Sequence, residues 1–166
     1  MKYGFVRAGA AVPRLKVGDC RYNSDQIIGL IGRAEKEGVH ILVFPELSIT
    51  GYSCGDLFHQ EVLLEDARTQ LGRIVDSTKG TEVAALLGIP LGIDNQLFNC
   101  AVAIQKGRIL GVVPKTFVPN YSEFYEQRWF ASAKNAVNNT VFLCGQEVPF
   151  GNDLLFEDAA KNICFG

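Results

Sequence analysis

The fold is constrained most by a short apolar run, residues 40–44, that leads directly into Pro45-Glu46. A run of this length without alternation is typical of a strand whose two faces are both covered. Residues 27–34 before it place apolar side chains at helical spacing, and residues 3–12 are apolar again and end at Pro13. Strand, helix and apolar strand in this order predict a βαβ-like start to an α/β fold with a covered sheet.

Cap and turn residues divide the rest of the chain into further elements. Asn23-Ser24-Asp25-Gln26 contains candidate N-caps for the first helix, and Gly38 is a candidate C-cap. Residues 61–78 are amphipathic and predict a second helix, and turn signals lie at 94–96 and at Lys106-Gly107. The remaining apolar segments predict strands at residues 83–89, 97–105, 108–113, 141–144, 154–156 and 162–165. The prediction is a mixed, two-layer α/β domain.

Composition limits the classes of protein to which the chain can belong. Its 166 residues suit one domain spanning 1–166, and 48 % hydrophobic with 20 % charged residues is globular composition. The net charge of -2 gives no electrostatic attraction to nucleic acid or to an acidic membrane. Five scattered cysteines and two histidines show no zinc-ligand spacing, so no metal site is expected. The N-terminus is not typical of a signal peptide, and no apolar run approaches about 18 residues. We therefore expect a cytoplasmic protein with reduced thiols.

Two predicted strands end in proline followed by a charged residue, at Pro45-Glu46 and at Pro114-Lys115. Ligands and catalytic groups often lie just past strand ends in α/β folds. A carboxylate base and an ammonium that stabilises a developing oxyanion are a suitable pair for acyl transfer. Taken singly, the glutamate could cap the next segment and the lysine could lie on the surface. Two such strand ends together favour a functional role for both.

A third segment, residues 119–130, concentrates aromatic side chains around Glu123 and Glu126. It could form an aromatic lid packed on the core. It could equally form the wall of a substrate pocket, since pockets are mostly apolar with a few placed polar groups.

These segments, taken in order, resemble one family. Residues 44–52 (Phe-Pro-Glu-Leu-Ser-Ile-Thr-Gly-Tyr) are similar to the glutamate motif of the nitrilase, or carbon–nitrogen hydrolase, superfamily, and Pro114-Lys115 with residues 119–126 is similar to its lysine motif. Residues 53–58 (Ser-Cys-Gly-Asp-Leu-Phe) and the Tyr-x-Glu-Phe-Tyr-Glu-x-Arg-x-Phe run from Tyr121 resemble the branch that serves as the glutaminase domain of glutamine-dependent NAD+ synthetases. The resemblance covers essentially the whole chain. It implies the N-terminal portion of a nitrilase-type α-β-β-α sandwich.

The resemblance also implies a Glu-Lys-Cys catalytic set. Glu46 corresponds to the general base that takes the thiol proton, and Lys115 to the residue that stabilises the tetrahedral oxyanion. Glu126 corresponds to the second active-site glutamate, which positions Lys115, with Glu123 as the nearby alternative. In the family a cysteine forms a thioester with glutamine, ammonia leaves for a separate synthetase domain, and water releases glutamate.

Substrate and partners follow from the same resemblance. Tyr52, Tyr121 and Phe124 correspond to pocket positions near the side chain of the substrate glutamine. No cofactor is implied for this domain, whereas ATP and Mg²⁺ are implied for the synthetase domain, which amidates nicotinic acid adenine dinucleotide. The family further implies a homo-oligomer.

The nucleophile departs from the family pattern. The branch carries it in a motif of the form Phe-Gly-x-Glu-x-Cys-Glu-Asp, and this chain ends in Cys164-Phe165-Gly166. The expected cysteine would therefore fall just past the last residue, in a longer enzyme of which this chain is a fragment lacking the synthetase half. Cys164 is expected to be a buried thiol and is the alternative nucleophile. Cys54 fits a loop position near Glu46.

Three functions remain open from the sequence. The first is the glutaminase part of a glutamine-dependent NAD+ synthetase, in which case the isolated chain is expected to be inactive for want of its thiolate. The second is a stand-alone nitrilase-like amidase that acts on another small amide. The third is a non-catalytic truncated module that binds a partner, which would leave Glu46 and Lys115 unexplained.

Overall fold

Two consecutive β-α units build the first half of the chain. The computed structural model describes residues 5–158 and 163–166. Strand β1 (Ala8–Ala10) leads through helix α1 (Cys20–Lys36) to strand β2 (Ile41–Val43), and helix α2 (Glu61–Ser77) then leads to strand β3 (Ala84–Ile93). The three strands pair in parallel in that order. Two crossovers in one direction place both helices on the same face of the sheet, where they contact each other.

Two antiparallel hairpins complete the main sheet. Strands β4 (Gln96–Gln105) and β5 (Arg108–Pro114) follow β3, giving the order β1-β2-β3-β4-β5. The turns lie at Asp94-Asn95, with φ of 51° and 60°, and at Lys106-Gly107, with φ of 51° and 74°, as hairpin turns of type I′ require. β2, β3 and β5 therefore run in one direction and β4 in the other. The predicted α/β class and βαβ start are confirmed.

Helix α1 begins earlier than its sequence predicted. Its N-cap is Asp19, whose carboxylate accepts a hydrogen bond from the Tyr22 N–H at 2.9 Å. The N-caps predicted at residues 23–26 are therefore wrong, because these residues lie inside the helix. Asn23 is fully buried there. The predicted end of the helix is confirmed, since Gly38 turns the chain away with φ of 68°.

The core lies between the helices and the sheet. α2 matches the predicted helix 61–78 within one residue and buries one apolar stripe, although Val62 is 73 % exposed. β3 and β4 are buried along most of their length. β2 is different, because Leu42 is buried while Val43 is 45 % exposed. The prediction that this strand is covered on both faces is wrong for this chain.

The segments after β5 match their predictions only in part. Strands β6 (Thr140–Leu143) and β7 (Gln146–Pro149) form a hairpin that contacts β5, and β8 (Phe156–Asp158) pairs with β9 (Ile163–Phe165). The sequence did not predict β7, in which Val148 is the one apolar residue before a proline. The strand predicted at 154–156 is displaced toward later residues, whereas the strand predicted at 162–165 is confirmed over residues 163–165, and residue 162 lies outside the described chain. The predicted strand 3–12 shortens to β1, and its residues 3 and 4 are also outside the described chain.

Candidate active site

Strand direction brings Glu46 and Lys115 to one end of the sheet. β2 and β5 run in the same direction, so the residues that follow them emerge at the same end. β4 runs in the opposite direction, and Asn99, close to its beginning and paired with Pro90, lies near that end as well. Three strands therefore contribute polar side chains to one place.

The Glu46 loop has to cross β3 to reach this place. β3 and β4 separate β2 from β5, a distance of about 14 Å at the usual spacing between strands. The loop passes directly over Gly88 of β3, where an added Cβ would lie 2.2 Å from the Leu47 nitrogen and 2.7 Å from the Pro45 carbonyl oxygen. Residue 88 must therefore be glycine for the loop to follow this path.

Buried polar groups hold the loop on this path. The Ser48 hydroxyl, fully buried, accepts a hydrogen bond from the Gly88 N–H at 3.2 Å, and the Ile49 N–H donates to the Gly88 carbonyl at 3.2 Å. Asn23 of α1 donates from its side chain to the Ile49 carbonyl at 2.9 Å. Leu47 has φ of 52°, a left-handed conformation that these bonds maintain. The first helix thus anchors the loop through a residue that the sequence suggested as a cap.

The Lys115 ammonium lies between two carboxylates. Its Nζ donates to Glu46 Oε1 at 2.7 Å and to Glu126 Oε2 at 2.9 Å. The Tyr52 hydroxyl donates to the other oxygen of Glu126, Oε1, at 2.7 Å. The Glu126 side chain is only 3 % exposed, and these two donors compensate its buried charge. Glu123 is exposed and, in the described part of the chain, makes no hydrogen bond to Lys115.

The network sets the charge of Lys115 and of Tyr52 at neutral pH. Burial lowers the pKa of Lys115, but the hydrogen bonds and charges of Glu46 and Glu126 outweigh burial and raise that pKa above its usual value. Burial, followed by the hydrogen bond to Glu126, raises the pKa of the Tyr52 phenol well above its usual value. The site therefore holds a stable ammonium beside a neutral phenol.

In the described part of the chain, the side chains of the other predicted pocket residues, Tyr121 and Phe124, make no hydrogen bond to this network. The Tyr121 and Phe124 rings pack edge to face with centroids 5.9 Å apart. Tyr121 is 67 % exposed and lines a cleft of ≈ 1070 Å³ that Lys115 also lines. Their contact with glutamine remains a prediction.

A second cleft brings the Glu46 carboxylate and the Lys115 ammonium to one wall. It has a volume of ≈ 590 Å³ and is lined by Glu46, Asn99 and Lys115 together with apolar residues such as Val43 and Val113. A mostly apolar wall with a few convergent polar groups is typical of small-molecule sites. Lys115 lies at the junction of the two clefts.

Asn99 is the member of the network that the sequence did not single out. Its Nδ2 donates to Glu46 Oε1, and its backbone carbonyl accepts a hydrogen bond from the Lys115 N–H at 2.8 Å. The residue is 3 % exposed. The available signal was an amide in the interior of the apolar strand 97–105, because a buried amide needs partners.

An ion pair joins the segments that follow the glutamate and lysine motifs. Arg128 Nε and Nη2 donate to Asp56 Oδ1 and Oδ2 at 2.7 and 2.8 Å, and the Trp129 indole donates to Oδ1 at 2.9 Å. These bonds, the guanidinium first, hold the pKa of the Asp56 carboxyl well below its usual range. We call this group the Asp56 clamp. It joins the 3-10 segments Tyr52–His59 and Glu126–Arg128. The Tyr52 hydroxyl of the first segment and the Glu126 carboxylate of the second meet beside the Lys115 ammonium.

The cysteines within the described residues do not contact the network. Cys100 lines the smaller cleft, but it is buried, and burial raises the pKa of its thiol. The Cys54 thiol donates to the Thr50 and Gly51 carbonyls at 3.2 and 3.3 Å. Neither has the accessible, low-pKa thiol that nucleophilic attack requires.

Cys164 also lies away from Glu46. The expectation that it is buried is wrong, because it is exposed on β9. Its neighbour Phe165 lines a cleft with His40 and Ile41, at the beginning of β2. Glu46 follows the opposite end of the same strand.

Residues 5–158 and 163–166 contain neither a cluster of metal ligands nor a helix that could span a membrane. No group of three or more His, Cys, Asp or Glu side chains is arranged there to hold a metal ion. No helix in these residues has both the length and the apolar character needed to cross a bilayer.

Comparison with known sequences identifies the family. The carbon-nitrogen hydrolase family model matches residues 7–154. The glutamine-dependent NAD(+) synthetase of Mycobacterium leprae is 36 % identical over 156 residues, which cover 94 % of this chain. That of Aquifex aeolicus is 31 % identical over 147 residues, which cover 87 % of this chain. The chain spans about a quarter of the length of these relatives, 23 % and 25 % respectively.

Solved structures agree with the family assignment. The crystal structure of a glutamine-dependent NAD(+) synthetase from Cytophaga hutchinsonii matches with a TM-score of 0.84 and 32 % identity, covering 92 % of this chain and 26 % of that one. An amidase from Nesterenkonia sp. matches with a TM-score of 0.59 and 21 % identity, covering 84 % and 53 %, which shows a shared fold alone. The fold is that of the N-terminal portion of a nitrilase-type domain, and the chain belongs to the carbon–nitrogen hydrolase family.

Proposed function

We propose that this domain hydrolyses the side-chain amide of glutamine as the glutaminase part of a glutamine-dependent NAD+ synthetase. The observation that carries the proposal is the Lys115 ammonium held between Glu46 and Glu126 at 2.7 and 2.9 Å. This arrangement offers a carboxylate base beside a fixed positive charge, as acyl transfer from an amide requires. The relatives at 36 % and 31 % identity, both glutamine-dependent NAD(+) synthetases, support glutamine over another amide.

The first half of the reaction transfers the acyl group to a cysteine. Glu46 takes the thiol proton, and the thiolate attacks the side-chain carbonyl carbon of glutamine. The electron pair of the C=O bond moves to oxygen, which becomes an oxyanion. An ammonium has three N–H donors, and Lys115 uses two of them on Glu46 and Glu126. The third has no partner among the residues that the structure describes, so it can stabilise this charge.

The second half releases both products. The tetrahedral intermediate breaks its C–N bond while Glu46 returns the proton to the leaving nitrogen, so ammonia departs and a thioester remains. Water then attacks the thioester with Glu46 as base, the C–S bond breaks, and glutamate and the thiol are restored. Lys115 must stay charged throughout, and its raised pKa supports this role.

The remaining parts of the proposal follow the family. Tyr52, Tyr121 and Phe124 surround the glutamine side chain. The nucleophilic cysteine follows Phe165-Gly166 in the gene product, since none of the described cysteines reaches the network. The domain itself uses no cofactor. ATP and Mg²⁺ serve a synthetase domain that amidates nicotinic acid adenine dinucleotide, in a cytoplasmic homo-oligomer. Relatives about four times as long as this chain support a further domain.

The test uses the complete gene product with ATP, Mg²⁺, nicotinic acid adenine dinucleotide and glutamine labelled with ¹⁵N in its side-chain amide. We expect the label in NAD+. Glu46→Gln should lower this incorporation by about 10²- to 10⁴-fold, the usual contribution of a general base, while free ammonium chloride still supports NAD+ formation. Glu123→Gln, which changes a nearby exposed acid, is the matched control and should retain the wild-type rate.

Two outcomes would contradict the proposal. Labelled ammonia without NAD+ formation would favour a stand-alone amidase. A gene product that releases no ammonia from glutamine would favour a non-catalytic module.

A further inference from the structure

Among the described residues, Asn99 is the uncharged one that hydrogen-bonds to both Glu46 and Lys115. Its side-chain Nδ2 donates to Glu46 Oε1, and its carbonyl accepts the Lys115 backbone N–H at 2.8 Å. It lies on β4, a strand separate from those that lead to Glu46 and Lys115. The assignment of its amide follows from chemistry, because an ionised carboxylate only accepts and the nitrogen must therefore face Glu46.

The two donors to Glu46 meet on a single oxygen. Lys115 Nζ also donates to Oε1, at 2.7 Å, so Oε1 accepts both bonds. Among the described residues no donor reaches Oε2. Both lone pairs of Oε1 are therefore engaged in hydrogen bonds, whereas those of Oε2 are available. A general base needs such an oxygen, since a lone pair already shared with a donor is a poorer proton acceptor.

Lys115 alone does not fix this arrangement. A flexible ammonium gives a single point of attachment and would let the Glu46 carboxylate rotate about it. The Glu46 side chain is also 41 % exposed, so packing restrains it little. A second donor from a rigid, buried strand residue removes that freedom.

We infer that Asn99 is a positioning residue for the general base, which fixes Glu46 so that Oε2 is the oxygen that takes the proton. The inference rests on the proposed function, because it assigns Asn99 a part in the same reaction. Asn99 acts through Glu46 and does not itself touch glutamine. Its loss leaves the base and the ammonium present but free to reorient.

The ordinary alternative is that Asn99 only fills space in the sheet. Successive side chains of a strand point to opposite faces, so Asn99 shares its face of β4 with Leu97 and Ala101. Both are apolar, so an apolar residue would suit position 99 equally well. A buried amide contributes little net stability compared with an apolar group of the same shape. Filling space therefore gives no reason for an amide at this position, whereas orienting a carboxylate does.

The experiment measures kcat and KM for ammonia release from glutamine by the complete gene product. Asn99→Ala should lower kcat by about 10- to 100-fold, the scale of a misplaced catalytic group, and leave KM within about twofold. Asn138→Ala is the matched control, because Asn138 Nδ2 makes a like bond of 2.7 Å to Asp94 Oδ2, and neither residue lines either of the two clefts beside Lys115. This variant should leave both constants unchanged. Circular dichroism and thermal unfolding establish that each variant is folded. If the Asn99→Ala protein does not fold, Asn99→Ser is measured in its place, and the same changes in kcat and KM are expected of it.

A double-mutant cycle separates positioning from a structural effect. In a Glu46→Gln background, Asn99→Ala should cause no further fall in kcat, because residues that act as a unit are not additive. An equal fall in both backgrounds would overturn the inference, as would a rise in KM with unchanged kcat. If Glu46→Gln has no measurable rate, the kcat and KM of the Asn99→Ala variant decide: a fall in kcat with KM unchanged supports the inference, and a rise in KM with kcat unchanged overturns it. The two failures are distinguishable: a wild-type protein that releases no ammonia removes the proposed function, whereas a fully active Asn99→Ala protein removes only this inference.

Discussion

Glu126 is the residue on which the charges of the site depend. Its side chain is only 3 % exposed, and each of its oxygens has one partner, Lys115 on Oε2 and Tyr52 on Oε1. A buried carboxylate without donors would be strongly destabilising. Glu126 and Tyr52 therefore depend on each other, and Tyr52 contributes to stability as well as to the proposed pocket.

The raised pKa of Tyr52 predicts a specific loss of stability at alkaline pH. A group whose pKa is raised on folding contributes stability that is complete below the unfolded pKa and is lost as pH rises through the folded pKa. For Tyr52 this loss begins near its ordinary value of 10.0. Tyr52→Phe should cost about 1 kcal/mol at pH 7 for the lost hydrogen bond. Its free energy of unfolding should then decline less steeply than that of the wild type above pH 10.

Urea unfolding at pH steps from 7 to 11.5 measures this difference. Lys115 contributes a decline of the same sign in both proteins, so the comparison isolates the phenol. Tyr121→Phe is the matched control, because its exposed hydroxyl makes no hydrogen bond to any described residue. Parallel declines in Tyr52→Phe and wild type would contradict the prediction.

Some site residues were predictable from the sequence and others were not, for a physical reason. Glu46 and Lys115 could be found because each follows an apolar strand and a proline, and strand ends are local features. Glu126 could be found only through the resemblance of residues 119–126 to the family's lysine motif. Asn99 and Gly88 could not be found, because their roles depend on which strands lie side by side and on where the loop after β2 crosses the sheet.

At the level of elements, the site is made by a loop that crosses a strand. β2 alone would leave Glu46 about 14 Å from the end of β5, and the passage over β3 reduces that gap. The loop is held by Ser48 and by Asn23 of α1, so a helix and two strands fix the position of the base. On the opposite side of the network, the Asp56 clamp holds the segments of Tyr52 and Glu126 together.

The crossing predicts that Gly88→Ala damages both stability and the site. A Cβ at 2.2 Å from the Leu47 nitrogen forces the backbone of the loop away from β3. Overpacking of this kind costs about 1–3 kcal/mol, and the displaced Glu46 should lose contact with Lys115. Gly92→Ala on the same strand is the matched control, because its Cβ would meet the Arg68 guanidinium at an ordinary 3.6 Å. Its cost should stay within about 0.5 kcal/mol.

Urea unfolding gives the stability of both variants, and ammonia release by the gene product gives the effect on the site. Gly88→Ala should be less stable than Gly92→Ala and should lose activity. A Gly88→Ala protein with wild-type stability and activity would show that the loop adjusts without cost.

Element prediction failed where tertiary contacts replaced local signals. The helices were predicted well, since each has a long apolar stripe, but the start of α1 was misplaced because Asn23 bonds to the distant Ile49 carbonyl and not to its own helix end. β7 has almost no apolar pattern and exists through its pairing with β6 and its contact with β5. Such pairing cannot be read from four residues.

Considered as a whole molecule, the chain concentrates its polar network at one end of a sheet. The helices cover one face, and on β2 the other side remains open at Val43. The network offers two carboxylates, an ammonium and a phenol, and the described cysteines make no hydrogen bond to it. The family relationship and the geometry together therefore predict what the isolated chain does.

We expect the isolated 166-residue chain to release no ammonia from glutamine above the rate without protein. Acyl transfer to sulfur needs a thiolate against Glu46 and Lys115. Cys100 is buried with a raised pKa, and Cys164 lies on β9, whose neighbouring cleft is at the opposite end of β2 from Glu46. Cooperative thermal unfolding must first show that the chain is folded, and a coupled glutamate dehydrogenase assay then measures ammonia. Cys164→Ala should match the parent chain. Ammonia release that this substitution abolishes would instead identify Cys164 as the nucleophile, and would mean that β9 moves to the site in the active state.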